Sequence, residues 1–69
     1  MELEEVLARL RERIDRDGGV ATWSRRHAVS EQYTRDVVAG RRPPGPSILA
    51  AIGLRKDVTI VYAEVPANG

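Results

Sequence analysis

Turn-forming residues divide the first 54 residues of the chain into four short segments, each with the apolar spacing of a helix. Asp17-Gly18-Gly19 ends the first segment, Ala28-Val29-Ser30 the second, Gly40 the third and Gly53 the fourth. Glycine ends a helix readily because it adopts the left-handed conformation of a C-terminal cap at little cost. The pattern predicts helices over residues 2–16, 20–27, 31–39 and 46–52.

The pattern changes near the C-terminus. Residues 58–65 are rich in β-branched and aromatic side chains and predict a strand. A lone strand leaves its backbone groups unpaired, and the chain contains no second strong strand pattern. We favour pairing with the same strand of a second copy, in a two-stranded ribbon with a dimer interface at Val58, Ile60 and Tyr62. The alternative is pairing with residues 1–3.

Length and composition exclude several classes of protein. The chain has 69 residues, no cysteine and one histidine, His27. We expect one small domain over residues 1–65 and a flexible tail over 66–69. A disulfide framework and a cysteine nucleophile are excluded, and a single histidine cannot anchor a metal site. We expect no metal and no cofactor. With no assembled set of catalytic groups, we expect no catalytic residues and no enzyme activity.

The sequence shows no sign of membrane targeting. It has no apolar run near 18 residues and no recognisable signal peptide. Charged residues make up 30% of the chain, which is typical of a soluble globular domain. We therefore expect a cytoplasmic protein that does not bind membranes.

The charges are unevenly distributed although the net charge is only +1. Residues 1–20 contain six carboxylates and four arginines, whereas residues 21–46 contain five arginines and two carboxylates. Ten of the eleven cationic side chains are arginine, whose planar fork suits phosphates and guanine. The middle of the chain is therefore the candidate nucleic-acid surface, and the acidic first helix can point away from it.

Two short helices joined by a three-residue turn, with a basic flank, are typical of a helix-turn-helix. Residues 19–42, GVATWSRRHAVSEQYTRDVVAGRR, resemble the helix-turn-helix of Cro and lambda-repressor-like (XRE-type) phage and prophage regulators. The proline loop and short helix that follow, to Leu54, are similar to small Cro-like proteins. The resemblance covers residues 2–54. It implies a mainly α, lambda-repressor-like DNA-binding fold of four short helices, and one C-terminal β-strand is expected beside them.

The chain departs from the family pattern at several positions. Ser24 stands where the family usually has alanine, and Thr34 where it often has valine or isoleucine. Ala28 stands where the turn usually has glycine; if that position requires positive φ, alanine costs about 1 kcal/mol. Gly19 and Val20 stand where the first helix of the motif often opens with serine or glutamine. A side-chain phosphate contact at that helix start is therefore not expected.

The predicted third helix supplies the candidate base contacts. Gln32 can form two hydrogen bonds with adenine, Arg35 can bind guanine or a phosphate, and Glu31 can accept from cytosine N4 while repelling phosphates. Asp36 can orient Arg35 or Gln32. The predicted base-reading residues are Glu31, Gln32, Arg35 and Asp36.

Flanking residues supply the candidate phosphate contacts, which position the protein without reading sequence. Ser30 caps the predicted third helix, where a hydroxyl and backbone amides can bind a phosphate. The predicted phosphate-binding residues are Arg25, Arg26, Ser30, Tyr33, Arg41 and Arg42.

Two functions are compatible with these patterns. The first is a sequence-specific, double-stranded DNA-binding transcriptional regulator, a Cro-like repressor of bacterial or phage origin. It would insert the helix at 31–39 into the major groove of a pseudo-palindromic operator as a homodimer. The alternative is a protein-interaction module, such as an antitoxin or adaptor subunit. A mixed case, an antitoxin that also represses its own operon, stays open.

Overall fold

A computed structural model of the chain describes residues 2–56 and 62–65. Within these ranges the chain is mainly helical, with four helices and two short strands. Each predicted helix end lies within one residue of the observed end. The elements are α1 (Leu3–Asp17), α2 (Val20–Arg26), α3 (Glu31–Val38), α4 (Pro46–Ala51), β1 (Leu54–Lys56) and β2 (Tyr62–Glu64).

The first helix is held by an apolar stripe and ended by two glycines. Val6, Leu10 and Ile14 recur at helical spacing and are buried. Gly18 and Gly19 then adopt φ of 96° and 129°, which side chains with a Cβ rarely tolerate. The Gly19 N–H donates to the carbonyl of Ile14 at 2.9 Å, which satisfies a carbonyl that the helix end leaves without a partner. These two glycines are the whole connection between α1 and α2.

The connection between α2 and α3 consists of four residues, 27–30. Ala28 has a φ of 55°, so the position does require the left-handed conformation that the sequence suggested. The Val29 N–H donates to the carbonyl of Ser24 at 2.9 Å and closes the turn. Ser30 then caps α3, because its hydroxyl oxygen accepts the Tyr33 N–H at 3.2 Å.

The fourth helix completes the core. Pro46 occupies its first turn, where the missing N–H would have no partner in any case. Pro44, in the loop before it, is buried. Side chains from every helix and from β1 meet in a single cluster around the fully buried indole of Trp23. Its buried members are Val6, Leu10, Ile14, Trp23, Val37, Ile48, Leu49, Ile52 and Leu54.

The C-terminal segment pairs within the chain. Strands β1 and β2 are antiparallel, with Leu54 opposite Glu64, and the Val65 N–H donates to the carbonyl of Gly53 at 2.9 Å. Residues 62–64 of the predicted strand therefore pair within their own chain, with a partner, Leu54–Lys56, that the sequence pattern did not indicate. The alternative pairing with residues 1–3 is wrong at Leu3, which opens α1.

The expected dimer interface is only partly described. Val58 and Ile60 lie outside the described residues, as does the tail over 66–69. Tyr62 lies in β2, opposite Lys56. Because one flank of β2 is paired with β1, a ribbon with a second copy could use only its other flank, and the homodimer stays a prediction.

One arginine connects the hairpin to the first helix. The Arg9 Nη2 donates to Glu64 Oε1 at 2.6 Å, and its Nη1 donates to the carbonyl of Ile52 at 3.4 Å. Arg9 thus contacts the end of α4 and β2 from one side chain. The planar guanidinium allows this because its N–H groups point in several fixed directions.

We expect Ala28→Gly to raise the free energy of unfolding by about 1 kcal/mol, because glycine removes the Cβ that disfavours positive φ. Urea denaturation measures the change. The control is Ala50→Gly, at an exposed position of regular helix in α4, where glycine should lower stability by about 0.5–1 kcal/mol. A loss of stability at both positions would contradict the strain assigned to Ala28.

Candidate nucleic-acid interface

The third helix has one buried face and one exposed polar face. Thr34 and Val37 are fully buried, whereas Glu31, Gln32 and Arg35 are exposed. The division follows from helical spacing, since positions 34 and 37 share a face and positions 31, 32 and 35 turn away from it. Three of the four predicted base-reading residues therefore lie together on the solvent side of α3.

A buried pair of hydroxyls fixes α3 against α2. The Ser24 Oγ donates to the Thr34 Oγ1 at 2.9 Å, and the Thr34 Oγ1 donates to the carbonyl of Ser30 at 2.9 Å. Ser24 is 2% exposed and Thr34 is 0% exposed, so the Ser24 hydroxyl depends on Thr34 for its partner, whereas Thr34 also has the carbonyl of Ser30. The two departures from the family pattern at these positions are thus a single, coupled feature.

Two pairs of side chains run along the exposed face of α3. Arg35 Nη2 lies 3.0 Å from Glu31 Oε2, and Gln32 Nε2 donates to Asp36 Oδ1 at 3.1 Å. Both pairs have the i,i+4 spacing at which helical side chains meet. Of the two partners expected for Asp36, the geometry gives it Gln32, while Arg35 is taken by Glu31.

Asp36 also binds the loop that follows α3. Its Oδ1 accepts from the Arg41 Nε at 3.1 Å, and the Arg41 Nη2 lies at the same distance. The backbone N–H of Arg41 donates to the carbonyl of Asp36 at 2.8 Å. The Asp36 side chain is only 19% exposed. A carboxylate held by an amide and a guanidinium is placed to orient them rather than to contact a base itself.

Tyr33 lies between α3 and the start of α4. Its hydroxyl oxygen accepts the backbone N–H of Gly45 at 2.6 Å, and the guanidinium carbon of Arg42 lies 4.8 Å from the centre of its ring. The side chain expected at a phosphate is therefore engaged with the loop over residues 40–45. The Tyr33 hydroxyl can also donate one hydrogen bond.

The remaining predicted phosphate-binding residues differ in their partners. Arg26 Nη1 lies 2.9 Å from Asp17 Oδ1, and Ser30 is exposed with its oxygen engaged as the cap of α3. Arg25 is exposed, and neither it nor Arg42 forms an ion pair with any carboxylate in the part of the chain that the structure describes.

Most arginines of the basic region are thus paired with carboxylates of the same chain. The ion pair between Arg26 and Asp17 was not predicted, because the two residues are nine positions apart and no short-range pattern joins them. The arginine of each pair is more than half exposed, and ion pairs in contact with solvent contribute about 0–1 kcal/mol each, so another anion can replace the carboxylate at small cost.

Trp23 and His27 are structural, as expected. Trp23 is fully buried, and the His27 ring lies 4.7 Å from it between ring centres. The described residues contain no group of three side chains able to hold a metal ion. Among the same residues, no helix has both the length and the apolar character to cross a membrane.

The chain matches no family model, no curated protein and no solved structure.

We expect Thr34→Val to lower the free energy of unfolding by about 1–3 kcal/mol, because it leaves the Ser24 hydroxyl buried without its partner. Ser24→Ala should cost less, since Thr34 keeps its bond to the carbonyl of Ser30. The double variant should be more stable than Thr34→Val alone, because no buried hydroxyl is then orphaned. Strictly additive losses in urea denaturation would show that the two hydroxyls are not coupled.

Proposed function

We propose that the protein is a sequence-specific regulator that binds double-stranded DNA by inserting α3 into the major groove. In this proposal α2, the turn at 27–30 and α3 form a helix-turn-helix of the lambda-repressor type. The first residues of α3 meet base edges, and the arginines around it contact phosphates.

The observation that carries the proposal is the ordered polar face of α3. Gln32 is held by Asp36 through its nitrogen, because a carboxylate only accepts hydrogen bonds. The second hydrogen on that nitrogen and the amide oxygen of this exposed side chain remain as one donor and one acceptor. This is the pair that adenine requires in the major groove. Arg35 lies beside it, with a fork suited to guanine.

The buried contacts that hold α3 against α2 support the same proposal. A base-reading helix must hold its side chains within a fraction of an ångström, and this requires a rigid support. The hydrogen bonds among Ser24, Thr34 and Ser30 provide directional contacts at the crossing of α2 and α3. These contacts fix the backbone of α3, and with it the positions from which its exposed side chains extend.

We further propose that the protein acts as a homodimer. Two copies related by a two-fold axis would bind half-sites about 34 Å apart on one face of the duplex. Selection of bound duplexes from a random pool tests this directly, and a palindrome with that spacing is the expected outcome. Retention of a protein partner without any selected DNA would instead favour an interaction module such as an antitoxin or adaptor.

We expect Gln32→Ala and Arg35→Ala to weaken binding to the selected duplex by about 1–3 kcal/mol each and to relax selectivity at one base pair each. Fluorescence anisotropy with the selected duplex and single-base variants measures both effects. The matched control is Arg16→Ala, which removes an exposed, i,i+4-paired arginine from α1. An effect of Arg16→Ala as large as that of Arg35→Ala would refute the assignment of the recognition face.

We expect Asp36→Asn to strengthen binding to unrelated DNA and to reduce the ratio of specific to unrelated affinity. The substitution removes a negative charge beside Arg41 and allows the Gln32 amide to rotate. The slope of log affinity against log salt concentration should become steeper by about 1, as expected for one additional phosphate contact. The control is Glu12→Gln, which removes an equivalent carboxylate from α1. Equal changes in both variants would mean that only net charge matters.

A further inference from the structure

We propose that Tyr33 is a positioning residue that presents Arg42 to a DNA phosphate, a role that rests on the proposed DNA-binding function. One side chain makes two separate contacts with the same loop. Its hydroxyl holds the backbone at Gly45, and its ring lies beneath the guanidinium of Arg42.

The hydroxyl contact fixes the end of the loop. Gly45 immediately precedes α4, and its N–H reaches the Tyr33 hydroxyl oxygen at 2.6 Å. Gly45 has φ of −84° and ψ of 179°, an extended conformation open to any residue. Its lack of a side chain matters for another reason: a Cβ there would collide with the Tyr33 hydroxyl oxygen. The position of the tyrosine, and not the backbone conformation, therefore favours glycine here.

The ring contact holds the charged group. The guanidinium of Arg42 lies 4.8 Å from the ring centre, within the range of a cation–π interaction. In contrast to Arg35 and Arg41, Arg42 has no carboxylate partner in residues 2–56 or 62–65. It is thus held against a neutral ring, and no carboxylate among the described residues offsets its attraction to a phosphate. An arginine ordered in advance loses less side-chain entropy on binding.

The loop itself supports this arrangement. The N–H groups of Arg41 and Arg42 both donate to the carbonyl of Asp36, at 2.8 and 3.3 Å, and Pro44 is buried. Both ends of the loop are therefore attached to α3, the first through Asp36 and the second through Tyr33. Arg42 lies between these two attachments and moves with the helix proposed to read the bases.

The experiment uses the full chain and two DNA probes, the selected duplex and an unrelated duplex of equal length. We expect Arg42→Ala to weaken binding to both about equally and to reduce the salt slope by about 1, as for one lost phosphate contact. Tyr33→Leu, which removes ring and hydroxyl, should reduce affinity for both probes by a similar factor. In the Tyr33→Leu background, Arg42→Ala should then have a much smaller effect than in the wild type.

The hydroxyl contact has its own readout, which requires no DNA. Tyr33→Phe keeps the ring and should speed hydrogen exchange of the Gly45 amide. Gly45→Ala should destabilise the wild type but cost little in the Tyr33→Phe background. Without the hydroxyl oxygen, the nearest atom to the new Cβ is the ring carbon Cζ. A Cβ at position 45 lies 3.6 Å from Tyr33 Cζ, which is an ordinary van der Waals contact. Additive effects of these two substitutions on stability would overturn the contact between Tyr33 and Gly45.

The outcomes separate the two proposals. If the wild type binds DNA and Arg42→Ala costs the same with and without Tyr33, the positioning role is overturned while the proposed function stands. If the wild type binds neither probe, the proposed function fails, and the phosphate role of Arg42 fails with it. The coupling of Tyr33 to Gly45 would then describe only how the loop is held.

Discussion

The hydrogen bond between Ser24 and Thr34 is the contact on which the arrangement of α2 and α3 depends. Apolar side chains at these positions would pack without directional preference, whereas two buried hydroxyls are satisfied in a single geometry. The Thr34 hydroxyl donates a hydrogen bond to the carbonyl of Ser30, so the same hydrogen-bond network reaches the cap of α3. The start of α3 and its crossing with α2 are thus set together, and every exposed side chain of α3 inherits that position.

Much of the helical fold could be predicted because it is encoded locally. Gly18 and Gly19 end α1 by their conformational freedom, Ser30 begins α3 by capping it, and apolar spacing gives the helices between. The positive φ of Ala28 could also be predicted, since the family that the sequence resembles usually has glycine at this position. In each case the decisive interaction lies within a few residues along the chain, where a sequence pattern can express it.

The hairpin and the loop contacts could not be predicted, because they join distant residues. The strand β1 is Leu-Arg-Lys, which has no alternating pattern, and it forms because β2 pairs with it and Arg9 holds Glu64 from α1. The contact of Tyr33 with Gly45 is of the same kind. The sequence indicated Tyr33 as a candidate contact and Gly45 as a loop residue, but nothing in it joins the two.

Ion pairing within the chain accounts for the low net charge of a protein that is proposed to bind DNA. Glu31 and Asp36 hold Arg35 and Arg41 in place, so these carboxylates order the cations at the cost of attraction to phosphate. Because the arginine of each pair is more than half exposed, the pairs exchange partners at small cost, and in the proposed function a site that offers guanine or phosphate compensates for the exchange. A duplex that offers only phosphates must still displace the same carboxylates. In the proposed function, the acidic residues on α3 reduce attraction to unrelated DNA more than specific binding, and the modest net charge is compatible with such discrimination.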